Sequence, residues 1–323
     1  MKIIFTIPTE EGVRERFQSI APDAEFVFAA PKELSESDLE DADILIGNVP
    51  PKMLHAPERL RFFQTNTAGS NNYTVPGVLA PATVLCNASG AYGLALAEHM
   101  LSQLLMVIKK LDVYLDAQKE HSWIDAGPVR RIYGSVTLVV GAGDIGTEFG
   151  KRMSALGSRV IGIRRHKTKA PEWMSDCGTM EDLEKWIGEA DYIACALPET
   201  PETYHMMDRE MLSRVRKDAI LLNVGRGTLV EADAVLDALK NGSLGAYITD
   251  VTDPEPLPAD SPLWDCPNVY ITPHISGNYH LHETYERVIA IAERNLKAFL
   301  AGEKLVNVVD RETGYRRFEE SIQ

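Results

Sequence analysis

Three glycines at a fixed spacing mark the clearest candidate for a binding site in this sequence. Gly141, Gly143 and Gly146 follow a short β-rich run and precede a stretch whose apolar residues recur at helical spacing. A strand, a tight glycine turn and a helix in this order favour a pyrophosphate, because the backbone can approach the phosphates and the helix begins beside them. We therefore expect a dinucleotide here, the alternative being a glycine-rich turn of another α/β protein. The expected cofactor site also includes the two residues before the third glycine, Asp144 and Ile145.

The residues after the next strand candidate bear on which dinucleotide is bound. A dinucleotide fold usually places Asp or Glu there to bind the ribose 2′-hydroxyl. In this sequence RVIGI at 159–163 is followed by Arg164 and Arg165. A guanidinium binds a 2′-phosphate through charge-assisted hydrogen bonds, whereas a carboxylate repels it. The pair favours NADP(H), with NAD(H) as a second cofactor, and the alternative is a solvated basic patch.

Three further side chains capable of acid–base or anion-binding chemistry follow successive strand candidates. Arg226 lies between two glycines after one strand, Glu255 lies in a proline-rich loop after the next, and His274 follows the last. In open parallel sheets, ligands bind outside the carboxyl ends of the strands. We therefore expect these residues in one site, although each taken alone also fits a surface or turn residue.

The elements that must position these residues alternate between strand and helix along the chain. This alternation predicts an α/β protein with two doubly wound domains, a Rossmann nucleotide domain inserted in a flavodoxin-like substrate domain. Long helices near 91–118 and 282–301 are the expected crossings between the domains. The predicted bounds are 1–95 with 285–323 for the substrate domain and 96–284 for the dinucleotide-binding domain.

The helix predicted near 91–118 has an apolar stripe that fits either core packing or a subunit contact. His99 lies on this helix beside Glu98, and we interpret it as structural. The stripe comprises Ala97, Leu101, Leu104, Ile108, Leu111 and Leu115.

Composition excludes several classes of function. The formal net charge of −14, from 33 basic and 47 acidic residues, argues against nucleic acid or an acidic membrane as partner. The four cysteines lack metal-type spacing, and they indicate reduced thiols in a cytoplasmic protein that binds no metal. We expect neither a signal peptide, because the N-terminal apolar run is short, nor a membrane span.

Several motifs together resemble the D-isomer-specific 2-hydroxyacid dehydrogenase family, and the resemblance covers nearly the whole chain. In order after the glycine turn they are LPETPET at 197–203, NVGRG at 223–227, EPLPADSPLW at 255–264, TPHISG at 272–277 and NVVDRETGY at 307–315.

This resemblance implies catalytic roles for the three polar residues. His274 would donate a proton to the keto oxygen during reduction and remove it in reverse, since imidazole exchanges protons near neutral pH. Glu255 would hydrogen-bond His274 and orient its ring. Arg226 would bind the substrate carboxylate and polarise the carbonyl.

The resemblance also implies further contacts around the cofactor and the substrate. Asp250 would bond the nicotinamide carboxamide, and backbone amides near Ala68 and Gly69 would help hold the substrate carboxylate in the small, polar loop TNTAGSNN. Asn87 and Tyr92 would line the substrate site. The remaining expected cofactor contacts are Leu197, Pro198, Thr203, Val224, Gly225 and Gly277.

The function implied is NADPH-preferring reduction of a small 2-ketoacid, such as glyoxylate or hydroxypyruvate, to the D-2-hydroxyacid, by a homodimer. One alternative is a nucleotide-sensing corepressor or binding protein on the same scaffold. A phosphoglycerate-type dehydrogenase is another, which we disfavour because we expect no regulatory domain after residue 323. The formate dehydrogenase branch is disfavoured because it carries Gln where this chain has Glu255.

Overall fold

The computed structural model describes residues 1–317, which form two compact units. One unit comprises Met1–Ala91 with the described residues from 281 onward, and the other comprises Tyr92–His280. Both boundaries precede the predicted ones by four residues, at 91 instead of 95 and at 280 instead of 284. The reason is that the helices beginning at Gly93 and His282 each remain whole within one unit.

The first unit is built on a five-stranded parallel sheet. Its strands are β1 (Lys2–Phe5), β2 (Glu25–Phe28), β3 (Ile44–Ile46), β4 (Phe62–Gln64) and β5 (Val84–Cys86). Its helices are α1 (Val13–Ile20), α2 (Glu36–Glu40), α3 (Asn71–Thr74) and, after the second unit, α10 (His282–Ala301). The strand order β2-β1-β3-β4-β5 is that of flavodoxin-like sheets.

The second unit is built on a seven-stranded parallel sheet. Its strands are β6 (Val136–Val140), β7 (Arg159–Ile163), β8 (Asp176–Gly178), β9 (Tyr192–Cys195), β10 (Ala219–Asn223), β11 (Leu244–Thr249) and β12 (Val269–Ile271). Its helices are α4 (Gly93–Ile108), α5 (Leu111–Lys119), α6 (Asp144–Ala155), α7 (Leu183–Ile187), α8 (Arg209–Ser213) and α9 (Ala232–Lys240). The order β12-β11-β10-β9-β6-β7-β8 contains the Rossmann arrangement, with β6 and β9 adjacent where the strand order reverses. The predicted class, two parallel α/β domains, is confirmed.

The central strands of the second sheet read as nearly continuous apolar runs because both faces of the sheet are covered. Every residue of β9 and β10 is buried. In contrast, β8 has only the three residues Asp-Cys-Gly, so hydrophobic periodicity does not predict it.

The helix predicted near 91–118 is two helices, which corrects the sequence interpretation. The chain breaks at Lys110, whose φ of 56° is left-handed, and α5 begins at the next residue. Upstream of the break the apolar stripe packs in the core, with Leu104 and Ile108 buried, whereas Leu111 and Leu115 are 48% and 54% exposed. No helix within residues 1–317 combines the length and apolar character that a membrane span requires.

The C-terminal segment after α10 is fastened to the first sheet. Val309 donates its N–H to the carbonyl of Leu85 at 2.8 Å, so the tail lies extended along β5. The fully buried Asn295 of α10 fixes the start of this segment. Its Nδ2 donates to Gln64 Oε1 at 2.7 Å and to the carbonyl of Val306 at 2.9 Å, and its Oδ1 accepts the Val306 N–H at 2.9 Å.

Replacing Asn295 with alanine is expected to lower the free energy of unfolding by about 2–4 kcal/mol, because buried partners lose their hydrogen bonds. Arg294→Ala, at the exposed neighbouring position, is the matched control and should change stability by less than about 0.5 kcal/mol. Urea denaturation measures both variants, and equal stabilities would contradict the assigned role of Asn295.

Candidate active site

The glycine turn joins β6 to α6 as its sequence predicts. Gly141 has a φ of 99°, and a Cβ there would lie 2.6 Å from the carbonyl oxygen of Ala196. Helix α6 begins at Asp144 after Gly143, with no side chain capping its first turn. The backbone N–H groups of that turn and the positive end of the helix dipole therefore favour an anion, and this cradle fits a dinucleotide pyrophosphate.

Asp144 has a second role that the motif does not reveal. Its Oδ2 accepts the N–H of Gly93 at 2.9 Å, so its carboxylate lies at the N-terminus of α4. The glycine turn is thereby joined to a helix that begins 51 residues earlier in the chain. A Cβ on Gly93 would lie 2.5 Å from Asp144 Oδ1, which explains the small residue at this helix start.

Arg164 and Arg165 directly follow β7, at the carboxyl end of the sheet. The Arg164 guanidinium is held by the hydroxyl of Thr168, at 3.1 Å from Nη1. Its Nε is buried and has no hydrogen-bond partner among residues 1–317. A buried donor without an acceptor is costly, so this guanidinium fits an anionic ligand group such as a 2′-phosphate.

The loop after β9 carries three of the expected cofactor contacts. Thr203 closes a turn by donating its hydroxyl to the carbonyl of Pro198 at 2.8 Å. Leu197, at the start of this loop, lies against Gly225, where a Cβ would come within 3.0 Å of the Leu197 nitrogen. Val224 donates its N–H to the carbonyl of Cys195 at 3.0 Å, so the backbone after β10 lies beside the end of β9.

Arg226 is presented by a turn that a buried asparagine closes. Asn223 ends β10, donates its Nδ2 to the carbonyl of Arg226 at 2.9 Å and accepts the N–H of Gly225 at 3.1 Å. Burial of the guanidinium lowers the pKa of Arg226, while the carboxylates of Glu255 and Glu199 oppose this shift. A partly desolvated cation facing acidic groups can bind the carboxylate of a small substrate.

Gly227 lets the Arg226 turn meet the loop that carries Glu255. A Cβ on Gly227 would overlap the backbone carbonyl of Thr252, and it would lie 2.5 Å from the Asp253 nitrogen. Two backbone segments therefore touch at a point where only glycine fits.

Glu255 and His274 form the hydrogen bond on which the catalytic prediction depends. His274 Nδ1 lies 2.9 Å from Glu255 Oε2, and Glu255 Oε1 accepts the N–H of Thr252 at 3.0 Å. Because a carboxylate only accepts, Nδ1 is the donor and Nε2 remains for a substrate. His274 has a φ of 49°, a strained conformation for a residue with a Cβ that is often found at functional sites.

Asp250 is buried and its carboxylate is used within the protein. Oδ1 accepts the hydroxyl of Thr272 at 2.6 Å and the N–H of Ile275 at 3.0 Å. Oδ2 accepts the N–H and the hydroxyl of Ser276 at 3.1 and 2.5 Å. A carboxylate offers about four acceptor positions, so the predicted bond to a nicotinamide amide would have to replace one of these contacts.

The expected substrate residues lie in both units. In the first unit, Asn87 donates its Nδ2 to the carbonyl of Ala68 at 2.7 Å and so braces the loop after β4. No hydrogen bond among residues 1–317 uses the N–H of Ala68 or Gly69. In the second unit, Tyr92 precedes α4 and packs beside Gly277, and burial raises its pKa.

Within the second unit, the structure brings Arg226, Glu255 and His274 to the carboxyl ends of the adjacent strands β10, β11 and β12. Sequence reasoning did not identify Asn223, Gly227 and Thr272 as residues that build this site. All three lie inside the motifs NVGRG and TPHISG, so the sequence marked their positions but did not indicate what each residue contacts. The described residues contain no cluster of His, Cys, Asp and Glu that could hold a metal ion.

The chain is similar to proteins of one family. It matches the family model described as D-isomer specific 2-hydroxyacid dehydrogenase, NAD binding domain, over residues 101–276. It is 31% identical over 292 residues to an uncharacterized protein in the proB 3′ region of Corynebacterium melassecola, with 86% of this chain and 91% of that protein covered. It is 32% identical over 266 residues to glyoxylate/hydroxypyruvate reductase B of Pectobacterium atrosepticum, with 79% and 80% covered.

A solved structure shows the same architecture. The crystal structure of a D-isomer specific 2-hydroxyacid dehydrogenase family protein from Aeromonas salmonicida matches with a TM-score of 0.85 at 28% identity. The match covers 96% of this chain and 99% of that one.

Replacing Gly227 with alanine is expected to lower the free energy of unfolding by about 1–3 kcal/mol, because the new methyl group forces two backbone segments apart. Gly277→Ala is the stability control, since its Cβ would contact Tyr92 and Leu96 at an ordinary 3.4 Å. Thermal and urea unfolding measure both, and a Gly227→Ala protein as stable as the wild type would refute the close approach.

Proposed function

The chain belongs to the D-isomer-specific 2-hydroxyacid dehydrogenase family, and we propose that it reduces a small 2-ketoacid to the D-2-hydroxyacid with NADPH as preferred hydride donor. Family membership makes it an NAD(P)-dependent oxidoreductase acting on CH–OH groups. The observation that carries the specific proposal is the 2.9 Å bond between Glu255 and His274, in the same unit as the Arg226 turn.

His274 is the general acid of the proposed reduction. Glu255 holds Nδ1–H, which directs Nε2 to the keto oxygen and stabilises the positive charge when the ring is protonated. As the oxygen gains negative charge, Nε2–H transfers its proton to it. In the reverse direction the neutral ring removes the proton from the alcohol.

Arg226 binds the carboxylate that all 2-ketoacids share. Its guanidinium supplies paired, charge-assisted hydrogen bonds and draws electron density from the adjacent carbonyl. In the first unit, the N–H groups of Ala68 and Gly69 make no hydrogen bond within residues 1–317 and are the expected donors to a substrate carboxylate, in a loop braced by Asn87. The Pectobacterium relative is named for glyoxylate and hydroxypyruvate, which supports small substrates of this kind.

The cofactor, when bound, supplies the hydride. The residues that would hold its pyrophosphate are Gly141, Gly143 and Gly146 with the first turn of α6, which includes Asp144 and Ile145. The loop with Leu197, Pro198 and Thr203, together with Val224, Gly225 and Gly277, would hold its remaining parts.

Arg164 and Arg165 would select the 2′-phosphate of NADPH. Two features support this choice: no acidic residue stands directly after β7, and the Arg164 Nε lacks an acceptor within residues 1–317. NADH would bind without this contact and therefore more weakly.

The first prediction for the reaction concerns His274. Purified protein should oxidise NADPH with glyoxylate, hydroxypyruvate or a related 2-ketoacid, followed at 340 nm. His274→Ala should lower kcat by about 10²–10⁴-fold, because the proton donor is lost. NADPH affinity, measured by fluorescence titration, should be unchanged.

His280→Ala removes an exposed histidine six residues away and is the control, with activity expected to equal that of the wild type. Failure of the wild-type protein to oxidise NADPH with any 2-ketoacid would overturn the proposed function. Full activity of His274→Ala would remove His274 from its role.

A second prediction concerns cofactor choice. The wild type should show a higher kcat/KM with NADPH than with NADH, and Arg164→Asp should lower the value for NADPH by about 10–100-fold, as expected for loss of charge-assisted hydrogen bonds. Lys169→Asp, in the same basic stretch, tests whether net charge alone explains the effect. It should change kcat/KM for NADPH relative to that for NADH only slightly. A wild-type preference for NADH would contradict the assignment.

We propose a homodimer whose contact includes the face around α5. Six large apolar side chains within 19 residues are exposed, an amount unusual for a monomer surface. They are Leu111, Val113, Leu115, Trp123, Ile124 and Val129. Light scattering should give the mass of a dimer for the wild type and of a monomer for Leu115→Glu, whereas Leu156→Glu, at another exposed leucine of the same unit, should stay dimeric. A wild-type monomer would exclude this assembly.

A further inference from the structure

A polar network connects helix α4 to the loop that carries His274. Its members are His99 on α4, Thr272 after β12 and Asp250 after β11. His99 Nε2 lies 3.1 Å from Thr272 Oγ1, although 173 residues separate them in sequence. None of the three takes part in the proton transfer or the carboxylate binding proposed above.

The hydrogen bonds of this network can run in only one direction. The carboxylate of Asp250 only accepts, so the single hydroxyl proton of Thr272 is donated to it at 2.6 Å. Thr272 Oγ1 must then accept from its other neighbours, His99 Nε2 at 3.1 Å and Gln103 Nε2 at 3.4 Å. Its donor and both of its acceptor positions are thereby used. His99 consequently carries a proton on Nε2.

Asp250 also accepts hydrogen bonds from the backbone of the loop that carries His274. Its backbone carbonyl accepts the N–H of His274 at 2.8 Å, and its carboxylate accepts the N–H groups of Ile275 and Ser276. Three consecutive backbone donors therefore point at one residue. Such a clamp can hold His274 at its left-handed φ, a conformation that persists only where surrounding contacts enforce it.

We propose that His99, acting through Thr272 and Asp250, is a positioning residue that fixes the direction and tautomer of the His274 imidazole. The assignment rests on the proposed function of His274 as general acid. It replaces the interpretation of His99 as structural only. The titratable and charged groups around the loop are Glu255, which holds Nδ1, Arg226, which faces Glu255, the Asp250 carboxylate, and His99, whose Nε2 lies 3.9 Å from Asp250 Oδ1.

The physical effect of the network is to preserve the bond between Glu255 and His274. When the clamp is intact, the ring presents Nδ1–H to Glu255 and Nε2 to the substrate. When Thr272 no longer bridges His99 and Asp250, the loop can relax so that His274 leaves its strained φ. The imidazole ring of His274 then turns away from Glu255. The neutral imidazole then populates both tautomers, and fewer molecules have Nε2 ready for proton transfer.

Two pairs of variants test the network. Thr272→Val and His99→Leu remove the bridge with little change in volume, whereas Thr272→Ser keeps the hydroxyl and His99→Gln keeps a donor at a similar distance. The disruptive variants should lower kcat about tenfold or more, the size of effect that a small misplacement of a reacting group causes. KM values for NADPH and the 2-ketoacid should change less than about twofold, because ground-state binding is untouched.

The conservative variants Thr272→Ser and His99→Gln should retain most of the wild-type kcat. His55→Leu, a histidine replacement in the other unit, should have the same kcat as the wild type. Circular dichroism and thermal unfolding identify any variant that fails to fold. Should Thr272→Val be unfolded, the pair at position 99 decides the question, because His99 lies on α4 and is partly exposed.

A spectroscopic measurement tests the positioning without turnover. Long-range proton–nitrogen NMR spectra of the imidazole, with His274 identified by its absence in His274→Gln, report which ring nitrogen carries the proton. The wild type and the conservative variants should show Nδ1–H, and Thr272→Val and His99→Leu should show a mixture.

An unchanged tautomer together with unchanged kcat in both disruptive variants would overturn the positioning role. A wild-type protein without turnover on any 2-ketoacid would instead overturn the proposed function. In that case the NMR spectra alone decide whether the network orients the ring.

Discussion

The candidate active site depends on the contact between the backbone at Gly227 and the backbone at Thr252. The carboxyl ends of β10 and β11 are neighbours in a parallel sheet, but their loops must still meet to place Arg226 near Glu255. Any side chain at position 227 would occupy space that the Thr252 carbonyl fills. This approach brings the loop that carries Arg226 and the loop that carries Glu255 to one place.

Two buried polar groups and one that is partly buried hold these loops in position. Asn223 closes the Arg226 turn, Asp250 gathers the backbone around His274, and Thr272 links that carboxylate to α4. Each of these groups is satisfied by several partners, which a buried polar group requires if it is not to destabilise the fold. The same network that stabilises the loops also limits their motion, so His274 is held by backbone contacts as well as by Glu255.

The charge close to the candidate binding sites differs in sign from the net charge of the chain. The chain carries a net charge of −14, yet the candidate cofactor and substrate contacts include Arg164, Arg165, Arg226 and uncapped backbone N–H groups. A buried or half-buried cation interacts with an anion through a medium of lower effective dielectric than water, so nearby groups dominate over distant surface charge. An anionic cofactor and an anionic ketoacid can thus bind to a protein that is acidic as a whole.

The sequence by itself determined the alternation of strands and helices, the glycine turn, and the order of Arg226, Glu255 and His274 after successive strands. These features are local, since each depends on periodicity or spacing within about 20 residues. It did not predict β8, which lacks an apolar run, or the break at Lys110. Only the tertiary structure decided that Asp144 caps α4, that Gly227 meets Thr252, and that His99 bonds Thr272. Those contacts join residues 25 to 173 positions apart, and no local pattern encodes which distant atoms the folded backbone brings within hydrogen-bonding distance.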